Sequence, residues 1–118
     1  MPSYVDGFVI PVPKKKVADY RRIAALGGKV WMKHGALAYF ECVGDDLDAK
    51  FGIPFPKAFD TKKGETVVFS WIVYKSRAHR DRVNAKVMKD PAMQTMPQSM
   101  PFDCSRVVYG GFKAIVEK

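Results

Sequence analysis

The chain has little of what most site chemistry is built from. Its two histidines, His34 and His79, lie far apart and neither sits in a ligand-spaced cluster. A metal centre or a haem site is therefore not expected, and no cofactor is implied. Its two cysteines, Cys42 and Cys104, show no C-x-x-C spacing, so two reduced thiols are the expectation. A glycine-rich phosphate loop and a dinucleotide fingerprint are both missing. The triplet HRD at residues 79–81 lacks the asparagine that a kinase catalytic loop needs in its place, since Asn84 sits too close. No apolar run approaches the ~20 residues of a membrane-crossing helix. The opening MPSYVDGFVIPVP lacks the order of an export signal. A cytoplasmic protein without a membrane partner is the expectation.

Negative charge is also scarce. The 118 residues carry 20 Lys and Arg against 12 Asp and Glu, a net charge of +8. That balance permits an anionic or nucleic-acid partner. The cations are spread along the chain and punctuated by acids, however, and a solvated surface is the plainer reading. Length and an ordinary apolar content point to one globular domain, residues 1–118.

What is present is led by ETVVFSWIVY, Glu65 to Tyr74. Read as a strand, it turns Val67, Phe69, Trp71 and Val73 to one side and Val68, Ser70, Ile72 and Tyr74 to the other. Both faces are largely apolar and both need cover. The remaining pattern offers two long helices, enough for one face. A second copy of the same sheet is the simplest cover for the other, so a homodimer with an internal cavity is expected.

Along the chain, residues 4–12 alternate as a first strand whose Pro11 and Pro13 place its end at a margin. Residues 14–33 read as a helix with the apolar stripe Val17, Tyr20, Ile23, Ala24, Leu26, Val30 and Trp31. Gly27–Gly28 predicts a kink or a close contact in it, and Gly35 a left-handed cap. Residues 36–43 form a second strand, with Leu37, Tyr39, Glu41 and Val43 on one face. Residues 48–63, including FGIPFPKAF, read as an extended, structured loop of the kind that serves as a lid or an interface arm. Ser76 is a good N-cap for a helix running to about residue 89, which Asp90–Pro91 ends. A short turn at 92–96 and a last strand at 106–116 follow, with Gly110–Gly111 marking a bulge or a close backbone approach. The order β-α-β-β-α-β predicts an α+β, ferredoxin-like fold with a four-stranded antiparallel sheet.

Several segments carry a family signature: YVDGFV at 4–9, GAL at 35–37, ECVGDD at 41–46, VVFSWI at 67–72, HRDRVNAKVMKDP at 79–91, and MPFD, Arg106 and YGGF across 100–112. Together they resemble the YbaA-like family of small bacterial proteins of unknown function, and the resemblance covers nearly the whole chain. It implies membership of the dimeric α+β barrel superfamily, in which two ferredoxin-like subunits pack sheet against sheet. That superfamily hosts cofactor-free monooxygenases, isomerases, haem enzymes and binders, so the resemblance implies no single activity.

Candidate site residues follow from the strand faces. Glu41 shares a mostly apolar face with Leu37 and Tyr39, where a carboxylate needs a partner. An ion pair with a helix cation such as Arg77 or Arg80, or a place near the strand end in water, is the plain choice. A pocket between helices and sheet would be walled by Trp31, Ser70, Trp71, Arg106 and Tyr109, with Tyr39 and Phe69 as further aromatics. In an enzymatic version, His34 or Glu41 would be the general base for monooxygenase- or isomerase-like chemistry, and Trp71 and Tyr109 would hold a small apolar or aromatic ligand. Two alternatives stand beside this pocket. One is a basic nucleic-acid binder using Arg77, Arg80, Arg82 and Lys86, although RNA modules of this class need the sheet face that a dimer would bury. The other is a structural dimer with no ligand.

Overall fold

The computed structural model describes residues 2–118. Strand β1 (Tyr4–Pro13) leads through a 3-10 turn at Lys14–Lys16 into helix α1 (Val17–Lys33), and β2 (Ala38–Val43) follows. A short helix α2 (Phe55–Ala58) precedes β3 (Glu65–Tyr74). Helix α3 (Arg77–Lys89), two further 3-10 turns and β4 (Val108–Lys113) complete the chain. The strands form one four-stranded sheet in the order β2-β3-β1-β4, and every pairing is antiparallel. This is the ferredoxin-like arrangement.

Strand β1 is central, yet it tolerates two prolines. The ladder to β3 runs to Pro13 opposite Glu65, whereas β4 reaches only to Val9. The Lys14 N–H points toward β3 and donates to Gly64 O at 2.8 Å. By alternation, Pro11 and Pro13 face the other edge, where β4 has already ended and no donor is needed. The predicted margin is thus a local one on an interior strand.

Helices α1 and α3 cover one face of the sheet. Tyr20 and Ala24 of α1 pack on Ile10, Val12 and Val68, and Val30 joins Val83 and Val87 of α3 on Ile72 and Tyr74. Ser76 caps α3 by accepting from the His79 N–H at 3.1 Å, and Asp90 closes its other end. The opposite face carries Phe40, Phe69, Trp71, Val108 and Phe112. Phe40 stacks on Trp71 at 4.9 Å, and Phe69 lies 5.4 Å from Trp71. Helix α2 reaches this face through Phe55, 6.1 Å from Phe69.

Local expectations differ from the structure at four places. The first three residues of the expected first helix form a 3-10 turn, and α1 proper starts at Val17. The predicted loop over residues 48–63 contains α2. Strand β4 is shorter than predicted, because Asp103 accepts from the Ser105 N–H and holds a 3-10 turn at Cys104–Arg106. Gly110 and Gly111 make no bulge. They pair regularly with Gly7 and Asp6, and the ring of Tyr4 lies across Gly111, where a Cβ would sit 2.8 Å from Tyr4 Cε2.

Candidate functional site

Alternation along β2 turns Tyr39, Glu41 and Val43 toward α1. Because β2 is an edge strand, α1 covers it incompletely and leaves an open cleft of about 520 Å³. Its walls are mostly apolar: Val17, Ala24, Ala25 and Met32 from the helix, and Val43 and Val68 from the sheet. Among the residues lining it, the polar groups are Tyr20, Arg21, Tyr39 and Glu41.

Glu41 is held from both sides. The Tyr20 hydroxyl donates to its Oε1 at 2.7 Å, and the Tyr39 hydroxyl donates to its Oε2 at 2.7 Å. Each carboxylate oxygen therefore has one phenol and keeps a further lone pair for another donor. Burial and then the neighbouring Glu41 charge, together with its hydrogen bonds, push both phenols well above the ordinary tyrosine range. They stay neutral donors at any physiological pH. The helix is built to admit this arrangement. Gly28 lies against the Tyr39 ring, and Gly27 lies under its hydroxyl. The glycine pair expected to give a kink or a close contact gives the contact, within a helix of 17 residues that continues through it.

From the sequence, Glu41 is expected to pair with a cation such as Arg77 or Arg80, or to lie in water near the strand end. Its partners are the two phenols instead. Arg80 is committed elsewhere: it donates to Asp6 at 2.7 Å and to Asp81 at 2.8 Å, and it lies 5.0 Å over the Tyr4 ring. That also removes Arg80 from the free basic face of α3 on which a nucleic-acid reading drew.

The other expected wall residues are scattered. Ser70 is buried opposite Glu41 in register, on the same face. Trp31 packs 6.2 Å from Tyr39, but its Nε1 donates to Asn84 Oδ1 at 3.1 Å, inside the core between α1 and α3. His34 caps the far end of α1, about 21 Å along the helix from Tyr20 at 1.5 Å per residue. There it pairs with Asp90 Oδ2 at 2.6 Å. Trp71 and Phe69 belong to the uncovered face, because one step along a strand reverses the side chain. Tyr109 stacks on Phe8 at 6.0 Å near the opposite edge of the sheet and is 75% exposed. Arg106 forms a bidentate pair with Glu65, at 2.7 and 2.9 Å. So of the expected set, the cleft itself takes in Glu41 and Tyr39.

Sequence reasoning missed Tyr20, which it placed in the apolar stripe of α1. A tyrosine in such a stripe carries a hydroxyl that must find an acceptor when buried. Glu41 was the one carboxylate on the inward face of β2, and that signal was available.

Among the described residues, no group of three or more His, Cys, Asp or Glu side chains is placed to hold a metal ion. Among the described residues, no helix is long and apolar enough to cross a membrane. Both cysteines are free and exposed.

A model of the family described as Protein of unknown function (DUF1428) matches residues 3–104. The uncharacterized protein YbaA of Escherichia coli (strain K12) is 43% identical over 116 residues, covering 98% of this chain and 99% of that one. The YbaA protein of Shigella flexneri matches to the same extent, 43% over 116 residues. Among solved structures, the crystal structure of a dimeric ferredoxin-like protein from an uncultured marine organism aligns with a TM-score of 0.55 over 100% of both chains. At 13% identity, that likeness concerns the fold alone.

Proposed function

Because the chain belongs to the DUF1428 family, described only as of unknown function, we propose a function from its own geometry: it is a homodimeric binding protein for a small, largely apolar molecule. The ligand lies in the α1–β2 cleft and presents a hydrogen-bond donor to Glu41. The observation that carries this reading is the carboxylate fixed between two neutral phenols at the wall of an otherwise apolar cleft. Ligand pockets combine these elements, an apolar lining with a few polar groups set in place. Holding Glu41 by its neighbours spares the ligand the cost of orienting it.

The uncovered sheet face supports the homodimer. Phe40, Phe69, Val108 and Phe112 are between 46% and 62% exposed, a contiguous apolar surface that monomers seldom leave in water. Four strands spaced ~4.8 Å apart and some 25 Å long present roughly 500 Å² in projection. A standard interface takes about 800 Å² per partner. The segment around α2, with Phe51 and Ile53 at 94% and 70% exposure, supplies further apolar area at the margin of that face. A neighbour in fold described as a dimeric ferredoxin-like protein adds support to a dimer. Two exposed free thiols fit a reducing compartment, and we place the protein in the cytoplasm.

The test is a thermal-shift screen with a panel of substituted phenols and aromatic amines, followed by the same screen on Glu41→Gln. The expected result is that some members raise the wild-type Tm and lose that effect in the variant. A panel without effect, or one equally effective on Glu41→Gln, would overturn the assignment of the cleft.

A further inference from the structure

A second cleft lies beside the first turn of α1, at the end of the sheet where β1 leaves and β3 enters. The register that sets Pro13 opposite Glu65, and the Lys14 N–H bond to Gly64 O, bring two lysine-bearing segments together. The cleft between them also measures about 520 Å³ and is lined by Lys14, Lys15, Lys62 and Lys63, with Pro13, Gly64 and Glu65. Lys16 follows immediately and is exposed like the other four. None of these five lysines makes an ion pair among the described residues.

The carboxylate in this cleft is already neutralised. Glu65 receives both arms of the Arg106 guanidinium and the Lys62 backbone N–H at 2.6 Å. Hydrogen bonding from Arg106 holds its carboxyl below the ordinary range. Gly64 turns the chain at a φ of 83°, and no atom lies within 4 Å of where a side chain would begin, so the backbone there is open to a ligand. Four lysines without an ion-pair partner around one concavity repel one another and favour an anion that meets several at once.

We propose that this cleft binds a chain of linked phosphates, such as a free triphosphate or the phosphate tail of a nucleotide. Lysine is a point-charge donor suited to phosphate oxygens, and two rows of lysines on facing segments match a short run of them. No aromatic ring lines the cleft, so the stacking platform that single-stranded nucleic acid needs is lacking there. The site is separate from the Glu41 cleft and stands whether or not that cleft binds anything.

The experiment is calorimetric titration of the full chain with inorganic tripolyphosphate at low salt, with adenosine triphosphate and a single-stranded RNA oligonucleotide as parallel arms. Lys62→Gln/Lys63→Gln is compared with the charge-matched Lys86→Gln/Lys89→Gln on α3. Loss of two charge-assisted contacts is expected to weaken tripolyphosphate binding about tenfold or more in the first variant and within about twofold in the second. Equal affinity for adenosine triphosphate would show that the linked phosphates are what is recognised. Much tighter binding of the nucleotide would also support the site and point to a nucleotide as its source. The proposal is overturned by absence of tripolyphosphate binding, by equal losses in both variants, or by RNA that binds through Lys62 and Lys63 and is not displaced by tripolyphosphate.

Discussion

Gly28 of α1 and Tyr39 of β2 are in direct contact: a Cβ added at Gly28 would stand 3.0 Å from Tyr39 Cδ1 and 3.1 Å from Cε1. The ring cannot retreat freely, since its hydroxyl is bonded to Glu41 and Trp31 packs beside it. Gly28→Ala gains about 1 kcal/mol of helix propensity. It incurs an overpacking penalty of about 1–3 kcal/mol. The expected net result is a loss of about 1 kcal/mol in chemical denaturation. Gly27→Ala, whose Cβ would come no closer than 3.3 Å to the Tyr39 hydroxyl, is expected to be milder. A stabilised Gly28→Ala would show that the ring is not pinned.

The two phenols on Glu41 make a coupled unit. Tyr20→Phe or Tyr39→Phe each removes one donor from a partly buried carboxylate, at an expected cost of about 1–2 kcal/mol. The double variant is expected to depart from additivity, because the first loss already frees Glu41 to turn toward its remaining partner. A double-mutant cycle from urea denaturation measures this, and strict additivity would contradict the coupling.

Alkaline pH offers a separate check. Burial first, and then nearby carboxylate charge, raises Tyr20, Tyr39 and Tyr74 above the ordinary value of 10.0. A tyrosine raised in the folded state contributes stability that is fully present below its unfolded pKa and is lost as pH climbs above it. An ultraviolet titration should therefore withhold the amplitude of three of the five tyrosines until the protein unfolds. Normal titration of all five in a folded sample would contradict these environments.

Acid stability centres on Asp90. Its Oδ1 accepts the Ala92 N–H at 2.8 Å, and its Oδ2 meets His34 at 2.6 Å and Lys33 at 3.2 Å. The backbone hydrogen bond first, and then His34 and Lys33, lower it from 3.8 to about 2. A depressed carboxylate contributes stability above its unfolded pKa, and that contribution fades as pH falls from about 4 toward 2. Asp90→Asn should flatten this part of the Tm–pH curve. An unchanged acid limb would show that the junction of α1 and α3 does not depend on the charge.

The uncovered sheet face yields the test of assembly. Trp71→Glu places a carboxylate at the middle of the aromatic cluster, where a two-fold interface would bring it near its own copy. Dimer dissociation is expected to strengthen by about 100-fold or more, read by sedimentation velocity at micromolar concentration. Wild-type protein that sediments as a monomer would remove the homodimer directly.

Periodicity was enough to determine most of the architecture. The two-faced β3, the helical stripe from Val17 to Trp31, the Ser76 cap and the Asp90–Pro91 stop are local patterns, each set by residues a few positions apart. They gave the element order, and hence the sheet with helices on one side. The site was less legible, because its partners lie on different elements. Glu41 could be marked as a carboxylate in need of company, but Tyr20 stands 21 positions away and meets it only once α1 has crossed the sheet. Likewise Arg106 and Glu65, or His34 and Asp90, are joined by packing rather than by spacing. Face assignment by alternation correctly separated Trp71 from Ser70, yet grouping both in one wall ignored it. Which residues share an element is written locally in the chain. Which elements share a cleft was decided only by tertiary packing, since a carboxylate takes whichever donors the closed fold brings within 3 Å.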